Sequence, residues 1–165
     1  MQSKLPQRKP TRLKHYNYSN AGAYFITLCT QDRKRLLCDI SVGFGIYDEP
    51  KIILSEYGNV ADRYIRKLSD EYDRITIDHY VIMPNHIHML ISIHKSDGAS
   101  QVPHPTNETI PKFVSLFKRY CNREFGYNIW QKSYNDHIIR DEKDYLNRWK
   151  YIENNPAKWQ EDDYY

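Results

Sequence analysis

The chain predicts an α+β fold: a ferredoxin-like split βαβ core, with an antiparallel sheet, helices on one face and an added C-terminal helix. Three observations lead there. Strand-forming runs and helical periodicities follow one another in the order β-α-β-β-α-β-α. Helix-start signals stand at Ser55 and Asp141. An apolar stretch over residues 79–93, broken at Pro84-Asn85, reads as the core of a sheet.

Taken in order, residues 1–20 carry Pro6, Pro10 and several Asn and Ser without periodicity, the pattern of a flexible basic arm. Residues 23–30 are rich in strand formers and predict the first strand. Residues 36–54 hold Gly43, Gly45 and Pro50 between short apolar pieces, which predicts an irregular hairpin or loop with a short strand at 52–54. After Ser55, the residues Tyr57, Val60, Ala61, Tyr64, Ile65 and Leu68 recur at helical spacing. Residues 74–83 predict the second strand, with Ile75, Ile77, His79 and Val81 alternating, and residues 86–93 the third. A Pro- and Gly-containing loop over 94–107 leads to a helix at about 108–125, its inward positions Ile110, Phe113, Val114, Phe117, Tyr120 and Cys121. Residues 133–140 predict a fourth strand. The last helix starts near Asp141 and stops near Asn155, because the residue before Pro156 is pushed out of helical geometry. One domain is expected over residues 21–159, preceded by the arm 1–20 and followed by a short acidic tail, 160–165.

Bulk properties narrow the function classes. No apolar run approaches the roughly 18 residues of a membrane span, so no membrane partner is expected. Cys29, Cys38 and Cys121 are too widely spaced for a disulfide framework or a zinc knuckle, and a cytoplasmic location is the expectation. The net charge of +3 is weak, but its distribution is uneven. Arg8, Lys9, Arg12 and Lys14 cluster near the start, Arg33 follows the first strand, and Lys118, Arg119 and Arg123 share a helix. Fifteen tyrosines are present, and Tyr16, Tyr18, Tyr24, Tyr120 and Tyr127 lie beside these cations. Cations beside aromatics suit single-stranded nucleic acid, where phosphates meet charge and bases stack. Tyrosines packing the core edge beneath solvated Lys and Arg would give the same pattern.

The residues that point to chemistry are His86 and His88, on either side of Ile87. On a strand, positions i and i+2 share a face, so both imidazoles can grip one ion while Ile87 packs the other way. Burying two histidines is costly unless both are satisfied, and a shared metal satisfies them. Two core histidines bonded to backbone or carboxylate remain the alternative. On the last helix, Tyr151 and Asn155 are one turn apart and share a face, next to a more apolar face of Tyr145, Trp149 and Ile152. Periodicity leaves open whether Tyr151 is a half-buried aromatic and Asn155 a helix cap.

The segment Tyr80-Val81-Ile82-Met83-Pro84-Asn85-His86-Ile87-His88-Met89-Leu90-Ile91 resembles the histidine–hydrophobic–histidine motif of the HUH single-tyrosine transposases. Residues 129–140 and the run Tyr151-Ile152-Glu153-Asn154-Asn155-Pro156-Ala157-Lys158 are similar to later blocks of the REP-associated tyrosine transposases, as is the stretch Ala21-Gly22-Ala23-Tyr24-Phe25-Ile26-Thr27. The likeness spans roughly residues 10 to 159 and includes the ferredoxin-like core. The resemblance implies Tyr151 as nucleophile and a divalent ion, Mg2+ or Mn2+, on His86, His88 and Asn155. Tyr120 and Tyr145 are the competing nucleophiles, and His137 ranks second to Asn155 as a ligand. It also implies single-stranded DNA as substrate, with hairpin-forming repeats, a covalent 5′-phosphotyrosine, and a monomer or homodimer. The arm residues and the Lys118, Arg119 and Arg123 helix are then expected DNA contacts. Imidazole ligation predicts that Mn2+ works at least as well as Mg2+. The competing expectations are a host-adopted protein that processes repeats, a catalytically silent single-stranded DNA-binding module, and a zinc hydrolase using His94 or His104.

Overall fold

The computed structural model describes residues 20–41, 49–95 and 109–161. The arm residues Arg8, Lys9, Arg12 and Lys14, together with His104 and the end of the acidic tail, lie outside the described residues. The strands are β1 (Gly22–Cys29), β2 (Cys38–Ser41), β3 (Lys51–Leu54), β4 (Ile75–Met83), β5 (His86–Ile93) and β6 (Asn135–Ile138). The helices are α1 (Glu56–Glu71), α2 (Thr109–Phe125) and α3 (Glu142–Asn154). Short 3-10 turns follow at Gln31–Arg33 and Pro156–Glu161.

Four strands form one antiparallel sheet in the order β4-β5-β1-β6, and β2 and β3 form a separate hairpin. This is the split βαβ arrangement, in which β5 inserts between β4 and β1 and runs antiparallel to both. The sheet has helices on both sides once the added helix is included. On one side α1 and α2 pack against Tyr24, Ile26 and Leu28 of β1 and Ile87, Met89 and Ile91 of β5, with Phe113, Phe117 and Trp130 closing that core. On the other side α3 covers Phe25, Val81, Met83 and Leu90 with Ile152, and Trp159 joins them. Because both faces are covered, β5 is buried at seven of its eight residues, so apart from His86, His88 and Ser92 its sequence is a run of apolar residues on both faces.

The helix starts follow local chemistry. Ser55 Oγ accepts from Gly58 N at 3.1 Å, and Asp141 Oδ1 accepts from Asp144 N at 2.8 Å, each satisfying a first-turn donor. Gly58 is required by proximity: a Cβ there would sit 2.0 Å from the carbonyl oxygen of Leu37.

One element departs from the expected pattern. The register of β4 against β5 shifts between Ile77 and His79, leaving Asp78 as an extra residue. Simple alternation puts Ile75, Ile77, His79 and Val81 on one face. With the bulge, Ile75 and Ile77 join the α1–α2 core, whereas Val81 joins the α3 side and His79 stacks on Trp149 of α3.

Candidate active site

The β1–β5 register opposes Thr27 to His88 and Cys29 to His86, on the face that α3 covers. His86 and His88 are essentially fully buried, their ring centroids 4.4 Å apart. Each is oriented through Nδ1. His86 Nδ1 lies 2.8 Å from Asn85 Oδ1, and His88 Nδ1 lies 2.8 Å from Thr27 Oγ1. A carboxamide oxygen can only accept, so His86 carries its proton on Nδ1 and its lone pair on Nε2, the form a metal ligand needs. Thr27 can accept in the same way and hold His88 in the matching tautomer.

Protonation is resisted at both rings. Burial pulls His86 down to about 3; the neighbouring Asn155 works the other way, and the charge of Arg33 adds to the depression. His88 is held well below its ordinary value by burial, then by His86 and Arg148. Both imidazoles are therefore neutral donors throughout the physiological range.

α3 brings the second half. Asn155, at its C-cap, is 3% exposed and adjoins His86, and its Oδ1 is a buried oxygen that accepts no hydrogen bond. Tyr151 is 39% exposed, with its ring 5.2 Å from that of His88 and 5.9 Å edge-on from Phe25. Phe25 in turn stacks on His88 at 5.1 Å. Trp159 closes the His86 side at 6.0 Å and carries the Arg35 guanidinium over its ring.

Two imidazole nitrogens and one amide oxygen form a donor set that fits a divalent ion with open positions left for substrate. Among the described residues no three His, Cys, Asp or Glu side chains converge on a metal, so a site here depends on the amide. His137, the second-ranked ligand, instead directs Nε2 at Asp144 Oδ2, 2.7 Å away. His94 sits at the other end of β5, with Nε2 2.7 Å from Thr76 Oγ1.

The competing tyrosines are placed differently. Tyr120 is on the α1–α2 side, its ring 5.4 Å from Tyr64. Tyr145 is on the α3 side, but burial and the Asp78 carboxylate push its hydroxyl up to about 12.

Of the expected DNA contacts among the described residues, Arg33 is the one whose charge reaches His86. It follows Asp32 in a turn where both residues adopt left-handed backbone, φ 54° and 53°. That conformation is costly for non-glycine residues and is held here by packing: Thr30 N and Oγ1 both bond to Asn85 O, and Leu36 N and Leu37 N bond to Pro84 O. Lys118, Arg119 and Arg123 lie on α2, in the layer across the sheet from the histidines. Lys118 Nζ donates to Gln131 O at 2.7 Å and Ser133 O at 3.3 Å, and burial lowers its pKa to about 8. With Arg119, Lys132 and Asn122 it lines a groove of about 420 Å3. The guanidinium groups of Arg119 and Arg123 flank Tyr120.

Thr27, Asn85 and Arg148 were not singled out from the sequence. Thr27 and Asn85 are polar residues in or beside an apolar strand, a usable signal. Arg148 gives none, being one cation among several on α3.

Residues 44–155 match the family described as IS200-like transposases, a span that includes His86, His88, Tyr151 and Asn155. The chain belongs to the IS200-like transposase family. An uncharacterised protein of Haemophilus influenzae is 36% identical to this chain over 98% of its length and 94% of that protein. A second H. influenzae protein, provisionally named a REP-associated tyrosine transposase, is 26% identical over 86% of this chain and 74% of its own. A solved REP-associated tyrosine transposase bound to a REP hairpin has the same fold, with TM-score 0.63 and 21% identity over 90% of this chain and 73% of that one. Among the described residues, no helix is long and apolar enough to cross a membrane.

Proposed function

We propose that this chain cleaves and rejoins single-stranded DNA through a covalent 5′-phosphotyrosine on Tyr151, with His86, His88 and Asn155 holding a divalent ion, Mg2+ or Mn2+. The observation that carries the reading is convergence across the chain: α3 sets Tyr151 against His88 and Asn155 against His86, more than sixty residues away in sequence. A hairpin-forming repeat as substrate is supported by the REP hairpin bound to the solved relative of the same fold.

The ion, when bound, supplies Lewis-acid polarisation of a non-bridging phosphate oxygen. The chain's residues do the rest. Thr27 and Asn85 hold the two imidazoles in the tautomer that presents Nε2. Tyr151 Oη attacks phosphorus, a Tyr–O–P bond forms, and the bond to the 3′-oxygen breaks, leaving a 3′-hydroxyl. Partial exposure of Tyr151 gives its proton a route to water. The adduct keeps the phosphodiester energy, so a second 3′-hydroxyl can reverse the step and rejoin the strand, as transposition requires.

End-labelled single-stranded oligonucleotides tiled across the DNA flanking this gene, incubated with protein and Mn2+, test the reading on denaturing gels. A covalent adduct that disappears in Tyr151→Phe and His88→Ala is expected. An adduct that survives Tyr151→Phe moves the nucleophile elsewhere. Binding without any adduct favours a catalytically silent DNA-binding module.

A further inference from the structure

We infer that Arg148 is a further catalytic residue of this site, a guanidinium placed to contact the scissile phosphate beside Tyr151. The inference rests on the reading just given and adds a residue that the histidine, tyrosine and asparagine set does not contain. Arg148 precedes Tyr151 by three residues on α3, so the two share a helix face one turn apart. Its Cζ lies 5.2 Å above the Phe25 ring, the same ring that meets Tyr151 edge-on and stacks on His88. Guanidinium, phenol and imidazole thus surround one aromatic platform.

The cation is held in place. Asp144, one turn earlier, faces Arg148 Nε across 3.6 Å through Oδ1. Its other oxygen takes His137 Nε2 at 2.7 Å and Arg140 N at 3.3 Å. His137 sits opposite Phe25 in the β1–β6 register, so the carboxylate ties α3 to the sheet edge and fixes where Arg148 stands. The ion pair with Asp144 runs through Nε, at the stem side of the guanidinium. A planar donor fork beside two neutral imidazoles suits an incoming phosphate. Negative charge grows on the phosphate oxygens as Tyr151 attacks, and a fixed cation there stabilises the transition state more than the ground state.

The alternative is that Arg148 merely covers Phe25. Arg148→Met keeps the cover and removes the charge, whereas Arg148→Lys keeps the charge and loses the fork. Single-turnover adduct formation is measured for wild type, both variants and Tyr151→Phe, on a normal oligonucleotide and on one whose scissile linkage is a neutral methylphosphonate. Removing such a donor is expected to lower the Arg148→Met rate by about 100-fold or more on the phosphodiester, with partial recovery in Arg148→Lys. On the methylphosphonate, wild type and Arg148→Met are expected to agree within about threefold, an equality that lost packing cannot produce. An Arg148→Met rate near wild type on the phosphodiester, or an equal loss on both substrates, overturns the inference and leaves the tyrosine mechanism standing. A wild type with no adduct overturns both. Should Arg148→Met fail to fold, Arg148→Lys and Asp144→Asn are compared on the same two substrates, with a loss confined to the phosphodiester again expected and an equal loss overturning the assignment.

Discussion

The buried histidine pair makes the metal-free protein sensitive to acid in a way that one substitution isolates. At pH 7 His86 is neutral in the folded and unfolded chain alike. Below its ordinary value of 6.5 the unfolded chain takes up a proton, whereas the folded chain holds off until about 3, chiefly because of burial. The unfolded state therefore binds more protons across that window. Stability is complete above 6.5, falls as pH drops below it, and stops falling once the folded ring protonates. Each pH unit inside the window costs about 1.4 kcal/mol for one such group, so by pH 5 His86 alone accounts for about 2 kcal/mol. His88 is depressed in the same direction and by burial too, so it acts with the same sign. His86→Gln removes one titration and keeps a neutral polar side chain. Urea unfolding followed by tryptophan fluorescence in excess chelator, at pH 7 and pH 5, compares the two proteins. The wild type is expected to lose about 2 kcal/mol more than the variant between those pH values, since contributions from other groups cancel in the difference. Equal losses, within about 0.5 kcal/mol, would refute the argument, because they would mean that His86 protonates in the fold near its ordinary value and that water reaches the site.

Thr27→Val removes the hydroxyl that orients His88 with little change of shape, and Mn2+ affinity by calorimetry is expected to fall about 10- to 100-fold. Gly58→Ala drives a methyl into the Leu37 carbonyl that receives Ser55 N, and chemical denaturation should show a loss of about 1–3 kcal/mol or more. Tyr145→Phe is expected to keep covalent adduct formation on the gel assay while Tyr151→Phe abolishes it, since the Tyr145 hydroxyl is raised to about 12 beside Asp78. Oligonucleotide binding should weaken steeply with salt, giving a negative linear slope of log affinity against log salt, if Arg33 and the α2 cations meet phosphates.

Much of the architecture was legible because local chemistry dictates it. The Ser55 and Asp141 caps and the apolar run through β5 place the starts of α1 and α3 and the central strand within a residue or two of where they lie. α3 ends at Asn154 as expected, but Asn155 before Pro156 keeps helical backbone, φ −59° and ψ −42°, and the chain tightens into a 3-10 turn instead of leaving helical geometry. The i, i+2 spacing of His86 and His88 determined that they share a face, and the i, i+4 spacing of Tyr151 and Asn155 did the same on α3. These relations depend on backbone geometry within one element. What lies across elements was decided by packing. The bulge at Asp78 sends His79 to the α3 side against the simple alternation, because an extra residue shifts which face every later side chain meets. Thr27 opposes His88 through a register that joins residues sixty-one positions apart, and nothing in either segment alone specifies it. Lys118 and Arg148 look alike as helical cations, yet one holds the chain at Gln131 and Ser133 in the far layer and the other stands over Phe25 beside the tyrosine. Sequence by itself determined the elements and the faces of each. The tertiary structure decided which faces meet, since that choice follows from strand register and the packing of two layers on one sheet.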